Sequence, residues 1–198
     1  MISDPLLLGA VVLVSLTSIL ILISRDWRLC VGSLAVQYIG AFFLVYASWP
    51  VEMAVAKMVA GWMAGAILGM AMSTSIDTWH ESEKSPKFGP IFRILAALII
   101  ALTITSIVLQ SDTWLAMIDI HLRWGSFILI GFGLLQLSLT THPLRIVIGL
   151  LCALSGFEII YAAIETSILV TGLLAGINLG LALVGAYMLV APTMESNP

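Results

Sequence analysis

Seven apolar runs, each close to the ~20 residues that carry a helix across bilayer hydrocarbon, occupy most of this chain. They cover residues 5–23, 29–48, 51–72, 91–109, 124–140, 144–165 and 166–191. Inside a membrane no water is available to backbone N–H and C=O groups, so a spanning segment must satisfy them internally as a helix or within a closed barrel. Runs this long and continuous predict helices, hence an all-α, polytopic transmembrane bundle of about seven helices. The breaks carry the expected punctuation. Ser24-Arg25-Asp26-Trp27-Arg28 is a charged turn with an interfacial tryptophan, and Trp49-Pro50 ends the second run. Between Gln110 and Arg123, Trp114, Leu115, Met117 and Ile118 alternate with Asp112, Asp119 and His121, which predicts a short segment lying at the interface.

Little of the chain remains for anything outside the bilayer. It is 61% hydrophobic and only 10% charged, against about 25% charged residues in soluble domains. We therefore read residues 1–198 as one membrane domain surrounded by lipid. A net charge of −3 gives no reason to expect a nucleic-acid partner. Cys30 and Cys152 lie in apolar runs without metal or redox spacing and read as small buried hydrophobes. The first residues lack the basic start of a cleavable signal peptide, so the first helix is expected to be retained. No phosphate loop, nucleophile elbow or catalytic carboxylate pair is present, and neither cofactor nor metal is expected. Any enzymatic chemistry belongs to partners.

Basic residues set the expected orientation. Arg25, Arg28, Lys84, Lys87 and Arg145 fall on one side of alternating loops, with Arg93 close by, whereas Arg123 flanks the other. The positive-inside rule then places the amino terminus outside and the carboxyl terminus in the cytoplasm of a multi-pass protein of the cell membrane.

The order of the runs contains an echo. Arg28-x-x-x-Gly32 opens the second run and Arg145-x-x-x-Gly149 the sixth. The third run has Gly61, Gly65 and Gly69; the seventh has Gly172, Gly176 and Gly180. This predicts two three-helix units in the same orientation, 1–72 and 110–192, joined by a loop and linker helix over 73–109, with a short tail from 193 to 198. Glycines every fourth residue leave a flat helical face that a neighbouring backbone can approach, so both ladders are expected to pack against protein.

Within the sixth run lies Gly156-Phe157-Glu158-Ile159-Ile160-Tyr161, a carboxylate deep in apolar sequence. Burying it costs several kcal/mol on insertion scales, and intramembrane ionisable groups commonly mark ion or proton pathways. Lys57, six residues into the third run, and Glu158, seven before Glu165, both fall ~9–10 Å below the outer boundary at about 1.5 Å per residue. They can therefore pair, either as part of a relay or as an ion pair that fixes helix register. Gln37 and Asn178 are the other polar groups at depth. The remaining candidates are peripheral. His80 with Asp77, Glu81 and Glu83 sits in a hydrophilic loop and reads as a solvated face; His121 belongs to the interfacial segment; His142 precedes a proline in a short turn and is expected to be exposed.

On the segments Ser24-Arg25-Asp26-Trp27-Arg28-Leu29-Cys30-Val31-Gly32, Gly156-Phe157-Glu158-Ile159-Ile160-Tyr161-Ala162-Ala163 and Leu179-Gly180-Leu181-Ala182-Leu183, each three-helix unit resembles the small K subunit of respiratory complex I and of cation/proton antiporter complexes. The whole chain is similar to the E subunit of hydrogenase-4-type complexes. The resemblance implies other integral membrane subunits as partners and a place on a proton-conducting axis. It also implies a glutamate in the second helix of the unit, matched by Glu158 through its Gly-Phe-Glu-Ile context or, in an ungapped comparison, by Leu154. The family's third-helix glutamate has no counterpart, since Gly176 falls there with Asn178 nearby; in the first unit only Gln37 is comparable. Three function classes follow: a subunit of an ion-translocating assembly, a scaffolding subunit of another membrane complex, and a small self-contained transporter.

Overall fold

The computed structural model describes residues 4–74, 89–111 and 115–195, without the side chains of Pro90 and 192–195. The expected loop residues Asp77, His80, Glu81, Glu83, Lys84 and Lys87, together with Asp112 and Trp114, lie outside the described residues. Among those described there are seven helices: α1 (Asp4–Ile23), α2 (Trp27–Tyr46), α3 (Val51–Thr74), α4 (Pro90–Gln110), α5 (Ile120–Leu139), α6 (Pro143–Ile164) and α7 (Ile168–Glu195). All seven are long and apolar enough to cross a membrane. Leucines, isoleucines and methionines such as Leu16, Met63, Met70, Leu98, Leu102 and Leu173 are exposed along their flanks. An apolar exterior around a polar-seeded core is the pattern of an integral membrane protein, because lipid is as apolar as leucine.

Side-chain caps fix several of the ends. Asp26 accepts the backbone N–H of Arg28 at 2.9 Å, and Asp119 accepts that of His121 at 2.8 Å. At the start of α6, Nδ1 of His142 accepts the N–H of Leu144 at 3.2 Å, while Pro143 occupies the first turn, where its missing N–H costs nothing. Two expectations change here. The helix α5 starts at Ile120, so His121 lies in the first turn of a helix long enough to span a membrane and not in a separate segment before it; of the described residues ahead of it, 116–118 turn. Capping by Asp119 is the reason, since it starts the helix before the tryptophan that marks the apolar run. His142 is buried rather than exposed, because its role as cap holds the ring against the helix end. The helix α7 also runs on to Glu195, into what sequence reads as tail.

Consecutive helices are antiparallel, and the first three pack on the last three. Helix α1 lies beside α5, α2 beside α6, and α3 beside α7, while α4 covers α5 from outside. Residues that meet across these pairs rise together in number. Gln37 meets Cys152, and the wall formed by Lys57 with Leu174 and Asn178 lies a few turns from the contact of Leu68 with Gly185. Partner helices α2/α6 and α3/α7 therefore run in the same direction.

Glycines close one seam of this stack. A Cβ at Gly133 would stand 2.7 Å from the backbone N of Ala153 and 2.7 Å from the carbonyl of Gly149; at Gly156 it would stand 2.6 Å from the carbonyl of Ser126. Here α5 and α6 touch backbone to backbone. The ladders read from sequence divide: on α3 Gly61 and Gly65 are buried, as expected, whereas on α7 Gly172 and Gly176 are exposed. Only Gly61 is tightly covered, by the ring of Tyr38, and Gly69 makes an ordinary contact with Val31. Gly65, Gly172, Gly176 and Gly180 have no neighbour within 4 Å of a built Cβ. On α7 the covered face carries Leu174, Asn178, Ala182, Gly185 and Leu189. It is offset by two residues from the ladder, about 200° around a helix of 3.6 residues per turn.

Candidate functional site: a buried polar seam

Lys57 on α3 and Glu158 on α6 form an ion pair through Nζ and Oε2, with residue exposures of 3% and 2%. Sequence reasoning places the two at matching depth, and the structure brings them together. Each charge has further partners. Asn178 on α7 donates Nδ2–H to the second carboxylate oxygen of Glu158 at 2.9 Å, and Lys57 Nζ lies 3.4 Å from the Ser155 hydroxyl. The ammonium also sits 5.5 Å from the centre of the Tyr38 ring on α2, whose negative face attracts it. The Tyr38 hydroxyl in turn donates to Asn178 Oδ1 at 3.2 Å. Four helices thus contribute one side chain or more to a fully buried cluster. Such satisfaction is what makes a buried charge pair tolerable, because desolvation of either ion alone costs several kcal/mol.

Local sequence positions these groups by helical spacing. Ser155 and Glu158 are three residues apart on α6 and so share a face; Gly156 between them sits at the α5 crossing and draws that helix close. A cavity the size of a water molecule adjoins the pair, lined by Trp49, Lys57, Glu158, Thr171, Leu174 and Asn178 among others. The Trp49 indole closes this end of the bundle by donating to the carbonyl of Glu165 at 2.8 Å.

Gln37 does not join the ion pair. It belongs to a second cluster one turn along the seam, where its Nε2 donates to Ser18 Oγ on α1 at 2.8 Å and its Oε1 accepts the thiol of Cys152 at 3.1 Å. Cys152 is buried, as its apolar setting implies, and also takes part in hydrogen bonding. The second cluster adjoins another water-sized cavity, walled by Ser18, Ile21, Phe132, Gly133, Gln136 and Cys152. The four sequence candidates, Lys57, Glu158, Asn178 and Gln37, therefore divide three to one between neighbouring clusters.

Tyr38, Ser155, Ser18 and Gln136 are the members that sequence reading missed. Serine, tyrosine and lone glutamine residues are common in membrane helices, and only the fold shows which of them face one another. Their spacing holds a faint signal: Ser18, Gln37, Gln136 and Ser155 each interrupt an apolar run near its middle or in its last third.

At the opposite end of the bundle from Trp49, Arg145 is buried and donates to the backbone carbonyl of Ser24, tying α6 to the α1–α2 turn. His142 beside it is held well below the ordinary histidine range, at about 4, first by burial and then by the Arg145 charge. On the Trp49 side, Arg123 is buried and donates to Ser111 Oγ at 3.0 Å. No protein-family model, curated protein or solved structure matches this chain at significant similarity.

Proposed function

We propose that this integral membrane protein is a subunit of an ion-translocating assembly of the complex I-like, hydrogenase-like or antiporter-like kind, and that its Lys57–Glu158 pair is a relay point for protons or cations. The observation that supports it is the pair itself: two opposite charges, almost wholly buried, held by Asn178, Ser155 and Tyr38 next to space for one water. A proton passed from the ammonium to the carboxylate leaves a neutral amine and a neutral acid. Asn178 and Ser155 can reorient to satisfy both forms, because an amide and a hydroxyl each donate and accept. A site able to hold either protonation state is what a relay needs. The small extramembrane content and the family resemblance of the sequence support partner subunits in the membrane, with the arginine-rich Arg145 end facing the cytoplasm.

A scaffolding role draws support from a different observation. The pair links α3 to α6 and, through Asn178, to α7, so it also locks the two halves together. Flux per assembled particle separates the two readings. In proteoliposomes holding the native complex, Glu158→Gln is expected to lower the yield of assembled particles, and those that assemble to carry ions at a small fraction of the normal rate. Unchanged flux per particle with glutamine at this position sinks the relay and leaves the scaffold.

A further inference from the structure

Gln136 on α5 is 4% exposed, and its Nε2 has no hydrogen-bond partner among the described residues. It forms part of the wall of the water-sized cavity that Ser18 and Cys152 also line. An amide donor buried without a partner loses the hydrogen bonds it makes with water in the unfolded chain, and a cavity of this size with polar residues in its wall is the setting in which buried water is found. The acceptor chemistry is also present. Ser18 Oγ already donates to the carbonyl of Val14 at 2.8 Å and accepts from Gln37, but a hydroxyl oxygen has two lone pairs. Cys152, whose sulfur is a weak acceptor, also lines the cavity.

We infer that this cavity is a binding site for one structural water, which accepts from Gln136 Nε2 and donates to Ser18 Oγ and to the sulfur of Cys152. Bound there, the water joins α5 to the Ser18–Gln37–Cys152 chain. Cys152 and Ser155 are three residues apart on α6, about 4.5 Å along its axis. The polar seam then extends from Glu158 through Ser155 and Tyr38 to Cys152, Gln37, Ser18, the water and Gln136. We assign this extension as the inward leg of the ion path; that assignment, unlike the water site, rests on the relay reading proposed above.

The thiol of Cys152 is a built-in reporter. The chain has two cysteines, so Cys30→Ala leaves one S–H stretch to follow by infrared spectroscopy. On transfer of the purified full-length protein to D2O, the Cys152 S–H is expected to exchange faster than the backbone amides of α5 and α6 around it. Gln136→Met, nearly isosteric but without a donor, is expected to slow that exchange by an order of magnitude or more while the amides keep their rates. Exchange at Cys152 as slow as the surrounding amides in the unmutated cavity overturns the water site, and this comparison needs no variant to fold. Exchange unaltered by Gln136→Met overturns it as well.

Flux tests the leg separately. If Glu158→Gln stops flux and Gln136→Met slows both exchange and flux, the leg stands. If Glu158→Gln stops flux but Gln136→Met slows exchange alone, the water is bound and the leg is overturned. If Glu158→Gln leaves flux intact, the relay reading and the leg fall together, while the water site is still judged by exchange.

Discussion

The α5–α6 seam and the α3–α7 seam use their small residues differently. At α5–α6, Gly133, Gly149 and Gly156 let two backbones touch, and van der Waals packing supplies the cohesion. At α3–α7, Gly65, Gly172, Gly176 and Gly180 have open space above them; Gly185 meets Leu68, Ala64 and Ala182 belong to the same apolar core, and Lys57 and Asn178 are linked through Glu158 of α6. Small-residue spacing is common to both regions. What differs is which side of the helix the neighbour occupies, so a ladder is a permission for close approach and not a sign that it occurs.

The largest expected effect breaks the polar seam. Glu158→Gln strands a buried ammonium and is expected to cost about 3–5 kcal/mol, the range for removing one partner of a buried pair. Adding Lys57→Met is expected to return most of that loss, as read by thermal unfolding of all four members of the double-mutant cycle. Additive losses would show that the two side chains are not coupled.

Next comes the glycine seam. Gly156→Ala places a methyl against the Ser126 carbonyl and the Ile130 N, which α5 can accommodate only by moving away; about 1–3 kcal/mol is expected. Its counterpart on α7, Gly176→Ala, meets no atom of the described residues within 4 Å and is expected to change the stability of the isolated protein by no more than about 0.5 kcal/mol. Equal losses at the two positions would erase the contrast. A loss at Gly176 confined to the native complex would place a partner helix on that face.

The smallest effect concerns neither seam but the turn that positions α6. His142 has a folded value of about 4 against about 6.5 when unfolded, so the unfolded chain binds more protons between those limits. Its contribution to stability is complete above about pH 6.5 and is lost as pH falls toward 4. The causes are burial of the ring, first, and the neighbouring Arg145 charge, second; protonation of Nδ1 also removes the acceptor that caps Leu144. His142→Asn, which keeps a capping oxygen but does not titrate, is expected to flatten the dependence of unfolding temperature on pH across that interval. An unchanged slope would assign the pH dependence to other groups.

Sequence alone determined the seven helices to within about four residues at their ends, because a bilayer admits few solutions for a chain and runs of this length fit the helical one. It also placed Lys57 and Glu158 at one depth, since rise per residue converts position into height. Height is not azimuth. Whether Gln37 faces Glu158 or Ser18, whether Tyr38 and Ser155 turn inward, and which stripe of α7 is covered all depend on the rotation of each helix about its axis. In a membrane the outer and inner faces are both apolar, so the hydrophobic pattern that fixes rotation in a soluble bundle carries little information. Tertiary packing made that choice, through the glycine crossing of α5 with α6 and the pairing of two buried charges that neither helix could bury alone.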